Sequence, residues 1–154
     1  MDATPLILPY SHELAPYFLS VNRQWIEHYF FLEPFDKEQL EQPHESIIAK
    51  GGQVWFAKWQ DEVVGTVAVK KVNVHTFELI KMGVLPHVRG KKIGFNLGME
   101  ALGWAKEQGA DRVVLYTNSI LSTAIHLYRK MGFCEVPIEP GKYRRCDVKM
   151  QVAL

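Results

Sequence analysis

Three β-forming runs follow one another between residues 53 and 84, separated only by short turns. The first is Gln53-Val-Trp-Phe-Ala-Lys-Trp59 and the second Val63-Val-Gly-Thr-Val-Ala-Val69, with Gln60-Asp61-Glu62 between them. β-Branched and aromatic residues dominate both, which predicts a hairpin. A third run, residues 76–84, follows a turn around Asn73. Strands joined this closely lie antiparallel, because a parallel return needs a crossover of a dozen or more residues. The rest of the chain has to be built around an antiparallel sheet.

The flanking segments supply helices and further strands. Leu6-Ile7-Leu8 reads as a first strand ending at Pro9. Over residues 13–31, Leu14, Phe18, Val21, Trp25 and Tyr29 recur at steps of three and four, which makes one apolar helix face. Pro34 ends that helix, and Asp36 is placed to cap a short second one through Leu40, stopped before Pro43. Past Pro86 the chain enters a long helix over residues 93–108, closed by Gly109. A buried-type strand over residues 111–117 comes next. A helix over residues 123–131 follows, with Gly132 at its C-terminal cap and Phe133 placed to pack back on Tyr128. The last strands are residues 133–136 and 145–152, the latter with Cys146, Val148, Met150 and Val152 alternating on one face. The predicted class is α/β in the α+β sense: a mixed, mostly antiparallel central sheet of about six to seven strands flanked by helices. No repeat, low-complexity tract or linker divides the chain, so residues 1–154 read as a single domain.

Composition narrows the partners. A hydrophobic fraction of 47% and a charged fraction of 23% are those of a soluble globular protein. A net charge of +1 gives no global reason to expect nucleic acid or an anionic membrane. No apolar run reaches the roughly 18 residues of a membrane helix. The opening MDATPLILPYSHEL lacks the basic and long apolar regions of a signal peptide. Two cysteines, Cys134 and Cys146, make no disulfide framework, so a reducing cytoplasm is expected. Neither they nor the scattered histidines have metal-ligand spacing, and no metal is expected.

The most informative stretch is Arg89-Gly-Lys-Lys-Ile-Gly94, between a strand and a helix. The first N–H groups of a helix lack internal partners and carry the positive end of the helix dipole, a natural anion site. Gly90 and Gly94 permit close approach, and Arg89, Lys91 and Lys92 add cations. A solvated basic loop is the plain alternative. The run is neither GxxxxGK[ST] nor GxGxxG.

Here a resemblance enters. The run Val84-Leu-Pro-His-Val-Arg-Gly-Lys-Lys-Ile-Gly-Phe-Asn-Leu97 resembles the acetyl-CoA motif of the GNAT superfamily of N-acetyltransferases, V-x-P-x-x-R-G-x-G-I-G before an apolar helix. A second block, Ala124-Ile-His-Leu-Tyr-Arg-Lys-Met-Gly-Phe133, is similar to the superfamily's A-I-x-L-Y-x-x-x-G-F, and one helix and one strand separate the two blocks, as in that superfamily. The resemblance implies acetyl-CoA as cosubstrate and an amine as acceptor. It implies coenzyme contacts from Met82, Gly83, Val84, Arg89, Gly90, Lys91, Lys92, Ile93, Gly94, Ala124 and Tyr128. Asn118 is a further candidate, for the pantetheine amide, with a simple turn role as its alternative. Lys92 departs from the motif, which usually has glycine there; a lysine still offers its backbone N–H if it keeps a right-handed conformation, and positive φ is costly for it.

Acyl transfer to an amine needs a neutral amine, a stabilised oxyanion and a thiolate able to leave. An ammonium has a pKa near ~10.4 and a thiol near ~8.5, so proton removal from the acceptor and donation toward sulfur both help. By resemblance Tyr128 is the candidate acid near the thioester sulfur, with a packed anchor tyrosine as its alternative. Glu78 is the candidate base. Strand alternation groups it with Ile80, Met82 and Val84, apart from Phe77, Leu79 and Lys81, among aliphatic neighbours that would raise its pKa. Tyr116, near the place some relatives use instead, cannot replace a carboxylate. The resemblance assigns the oxyanion to a backbone N–H near Gly83 or Val84.

Between residues 25 and 45, Glu27, Glu33, Asp36, Glu38, Glu41 and Glu45 stand against a single Lys37, beside Trp25, Tyr29, Phe30, Phe31 and Phe35. An acidic, aromatic rim there would favour a cationic amine acceptor, small molecule or peptide; a core stripe with a solvated acidic face is the alternative. A homodimer through edge strands is compatible with the resemblance. A non-catalytic acyl-CoA-binding module and a nucleotide-binding protein remain as other readings.

Overall fold

The computed structural model describes residues 4–154; Met1, Asp2 and Ala3, the head of the opening segment, lie outside the described residues. Among the described residues seven strands form one sheet: β1 (Leu6–Pro9), β2 (Gln53–Trp59), β3 (Glu62–Lys71), β4 (Thr76–Val84), β5 (Arg112–Thr117), β6 (Cys134–Val136) and β7 (Val148–Ala153). Their spatial order is β1-β2-β3-β4-β5-β7-β6. Every neighbouring pair is antiparallel except β4 and β5, which are parallel.

Helices α1 (Ala15–Tyr29), α2 (Pro34–Glu41), α3 (Ile93–Glu107) and α4 (Ser122–Lys130) cover the two faces. The apolar stripe of α1 buries Phe18, Val21 and Ile26, and with Leu40, Ile47, Val54 and Phe56 builds a core on one face of the sheet. Trp55, Val67, Phe77, Leu79, Leu97, Leu102 and Met150 build the larger core on the other face, beneath α3. Between Pro43 and β2 the chain makes a single wide turn, His44–Ile48, with bonds spanning five residues, which sequence periodicity does not show.

Most element bounds shift by one or two residues, and two of these differences touch the site. Helix α2 begins at Pro34, so Asp36 is its third residue and not its cap: Glu33 caps, and its N–H donates to Asp36 Oδ2 at 3.1 Å in a capping box. Strand β7 begins at Val148, leaving Arg145 and Cys146 in the preceding loop.

Strand β4 positions the site. Its register against β3 shifts between the pairs Thr66↔Gly83 and Ala68↔Ile80, and Lys81 takes φ 54. This is a β-bulge, and one extra residue exchanges the faces of everything beyond it. Met82 and Val84 therefore pack into the core of Phe77 and Leu79, while Ile80 packs against the α1 side. The simple alternation grouping Glu78 with Met82 and Val84 is corrected accordingly. The parallel pairing of β4 with β5 is limited to Thr76, Phe77 and Glu78 opposite Arg112, Val113 and Val114. Beyond these the strands diverge.

Candidate active site

A cavity of about 820 Å³ occupies the gap where β4 and β5 part. The turn before α3 forms one end, with Arg89, Gly90, Lys92, Ile93 and Gly94 in the wall. Met82, Gly83, Val84, Asn118, Ala124 and Tyr128 line the middle, and Glu78, Lys81, Tyr143 and Arg145 the far end. Every candidate residue except Lys91 thus reaches one cavity. Lys91 points its ammonium at the Trp59 ring, 4.5 Å from the centroid, so it adds no cation to the cavity wall.

The turn before α3 leaves its amides unpaired. Among the described residues the N–H groups of Gly90, Lys91 and Lys92 make no hydrogen bond, and those of Ile93 and Gly94 open α3. The first turn of α3 carries no acidic residue and no side-chain cap, so its positive end is left uncompensated. Gly90 has φ 86 and Lys92 φ 62. Lys92 therefore does not meet the right-handed condition: it takes the costly left-handed backbone at the turn into α3. Gly94 serves closeness instead, since a Cβ there would lie 3.0 Å from Leu127 Cδ2 on α4.

Tyr128 sits on α4 near a well-formed C-terminal cap. The Phe133 N–H donates to its carbonyl at 3.0 Å, and the Gly132 N–H to that of Arg129 at 3.0 Å. The Phe133 ring meets the Tyr128 ring edge-on at 6.1 Å, as expected. The Tyr128 hydroxyl has no hydrogen-bond partner among the described residues. Burial, with a smaller contribution from Cys146, pushes its pKa up to about 12.

Glu78 is buried, though not among aliphatic groups alone. The Tyr143 hydroxyl donates to its Oε2 at 3.0 Å, and Lys70 Nζ stands 3.7 Å from Oε1 and 3.3 Å from the Tyr143 oxygen. Burial first, and then the Glu78 charge, raise the Tyr143 pKa, so its phenol stays protonated. Tyr143 also touches the rings of Tyr116 (5.0 Å) and Phe35 (6.0 Å). Tyr116 donates to Glu139 Oε2 at 2.5 Å.

Nearby, the buried Asp36 carboxylate takes Lys81 Nζ at 2.6 Å and a two-pronged contact from Arg145, with Nη2 at 2.7 Å. Burial alone would raise its pKa; hydrogen bonds and charges from Arg145 and Lys81 outweigh that and bring it to about 2. The Cys146 thiol also lines the cavity, and burial lifts its pKa to about 11 against the pull of Arg145 and Lys81, so it is no nucleophile near neutrality.

Asn118 and the acidic stretch each carried an alternative reading, and the geometry agrees with it. The Asn118 carboxamide is engaged locally: Nδ2 donates to the Arg145 carbonyl at 2.8 Å, and Oδ1 accepts the Ile120 N–H at 3.0 Å. The acidic rim is not assembled. Glu27 pairs with Arg23, Glu38, Glu41 and Glu45 face solvent, and only Glu33 and Asp36 line the cavity, the latter neutralised by two cations. Sequence reasoning passed over Lys70, Lys81, Tyr143 and Arg145. The one available signal was Lys81, a lysine between Ile80 and Met82 in an apolar strand.

A family model described as acetyltransferase (GNAT) family matches residues 18–133. The uncharacterized N-acetyltransferase YjgM of Escherichia coli is 30% identical over 116 residues, covering 72% of this chain and 70% of that protein. Other curated relatives are matched over less of their own length, the zebrafish N-acetylaspartate synthetase over 31% of it. A crystal structure of a GNAT-family acetyltransferase from Staphylococcus aureus superposes with a TM-score of 0.86 at 22% identity, covering 97% of this chain and 99% of that one. The PaiA N-acetyltransferase of Thermoplasma acidophilum, crystallised with coenzyme A, gives 0.76 at 19% identity, covering 98% and 99%. At these identities the structures speak for the fold.

Proposed function

Because this chain belongs to the acetyltransferase (GNAT) family, we propose that it transfers an acetyl group from acetyl-CoA to a primary amine, by direct attack with both substrates bound. One observation carries the reading: a single cavity begins at the unpartnered amides of the turn before α3 and reaches the unbonded hydroxyl of Tyr128. In this reading residues 1–154 act as one domain. A cytoplasmic setting suits it, supplying acetyl-CoA and keeping Cys134 and Cys146 free.

The turn amides and the α3 N-terminus hold the pyrophosphate, with Arg89 and Lys92 at the wall. Met82, Gly83, Val84 and Ala124 line the path of the thioester arm, and a backbone N–H near Gly83 or Val84 meets the developing oxyanion. Glu78 takes the proton of the attacking amine, with Tyr143 and Lys70 orienting its carboxylate. Burial pushes the Tyr128 pKa up to about 12, so its phenol stays protonated near neutrality. Tyr128 therefore acts by donating a hydrogen bond to the departing thiolate.

Thiol release from acetyl-CoA against a panel of amines tests the reading. Tyr128→Phe and Glu78→Gln should each lower kcat by about a hundredfold while leaving coenzyme A binding intact. Coenzyme binding with no thiol release from any amine would instead make the protein an acyl-CoA-binding module.

A further inference from the structure

At the far end of the cavity, the Asp36 carboxylate is saturated. Oδ1 accepts Lys81 Nζ and Arg145 Nη2; Oδ2 accepts Arg145 Nη1 and the Glu33 N–H. A carboxylate offers about four lone-pair sites, and all are taken. The cations around it are not saturated. An ammonium has three N–H donors and a guanidinium five, yet Lys81 uses one side-chain donor here and Arg145 two. What remains unmatched is donor capacity and one positive charge.

Gln39 adds an independent observation. It lies one helical turn beyond Asp36 on α2, buried and in the cavity wall. Its carboxamide oxygen is fully buried without a partner, and its amide makes no hydrogen bond among the described residues. That oxygen is an acceptor and calls for a donor on a ligand, while toward an anion Gln39 offers its unbonded amide N–H donors. The neighbouring carboxylates are shared with other cations: Glu78 is engaged by Tyr143 and Lys70, and Glu33, whose charge also acts on Arg145, stands 3.8 Å from Arg144.

Resting on the acetyltransferase reading, we infer that the amine acceptor also carries a carboxylate, which accepts from Lys81, Arg145 and the amide N–H2 of Gln39, and so belongs to the amino acids and not to the simple or polycationic amines. Its amine faces Glu78, three positions before Lys81 on the same strand. Its body lies against Phe30 and Phe35, whose rings already sit 5.8 Å from the Arg145 guanidinium and 5.6 Å from Lys81 Nζ. Burial pulls the Lys81 pKa down against the opposing effect of Asp36, and a second carboxylate beside it favours the charged form.

The test compares matched pairs in the thiol-release assay: phenylalanine with phenethylamine, and 4-aminobutyrate with butylamine. The carboxylate-bearing member should win in kcat/KM by at least about tenfold in one pair, the least expected of a charge-assisted hydrogen bond. In Arg145→Gln and in Gln39→Leu, the second of which breaks no existing bond, that ratio should fall toward one, and Arg145→Lys should recover part of it. Carboxylate-free amines acetylated as well or better would overturn the inference and leave the acetyltransferase reading standing. Calorimetry on the coenzyme A-loaded protein separates the two failures, comparing 3-phenylpropionate with its amide. Equal binding of the pair overturns the carboxylate site even if no amine releases thiol. Selective carboxylate binding without any thiol release keeps the site and removes the acetyltransferase reading.

Discussion

Two residues hold conformations or charges that their own chemistry resists. Lys92 occupies the left-handed region, which costs a residue with a side chain about 1 kcal/mol or more. Glycine there removes that strain and adds a similar amount of freedom to the unfolded chain. Lys92→Gly should therefore leave stability within about 1 kcal/mol, and Lys92→Val, branched at Cβ, should lower stability and weaken coenzyme A binding; denaturant titration and calorimetry read both. Asp36 is the second case. Its folded pKa, about 2, lies below the unfolded 3.8, so between these values the unfolded chain binds more protons. Its contribution, about 2 kcal/mol, is present above pH 4 and lost as the pH falls toward 2. Asp36→Asn should flatten that part of the stability profile while costing about 3–5 kcal/mol near neutrality, because Lys81 and Arg145 are left without their anion. Urea unfolding across pH 2–7 checks both statements.

At the level of elements, the contact between α3 and α4 sets where Tyr128 stands. Gly94 lets Leu127 approach, and Leu127 adjoins Tyr128 on α4. Gly94→Val should push α4 away, at about 1–3 kcal/mol in stability, and weaken coenzyme A binding markedly in calorimetry. Strand β4 shows where reading a sequence stops short. Its bounds follow from β-propensity and turns, but the bulge at Lys81 is a matter of register with β3, which no local pattern records. The turn before α3 and the Tyr128 cap were legible because each is a local device with a residue signature: a glycine-flanked basic turn before a helix, and a glycine followed by an aromatic after one. Asp36 with Arg145, and Glu78 with Tyr143, join residues far apart in the chain, and only the folded sheet brings them together.

For the whole molecule, the sheet consists of β1–β4 and of β5, β7 and β6, stitched by three residue pairs. A coenzyme lodged between the halves binds only the folded form. At a concentration of one hundred times its Kd it adds about 2.7 kcal/mol, which for a chain of this size raises Tm by about 5–10 °C. Differential scanning fluorimetry with coenzyme A should show that rise, and adenosine, which lacks the pyrophosphate, should give little of it.

Where β4 and β5 separate, each presents a margin of peptide groups that no neighbouring strand answers, in the middle of a sheet and not at its border. Border strands are usually guarded by charge or by a covering segment. A cavity of about 820 Å³ lies at this opening, and the guest that would answer such groups is an extended, amide-bearing chain. Such a guest would be held as one more rung of the sheet, by main-chain geometry that side-chain substitution scarcely touches.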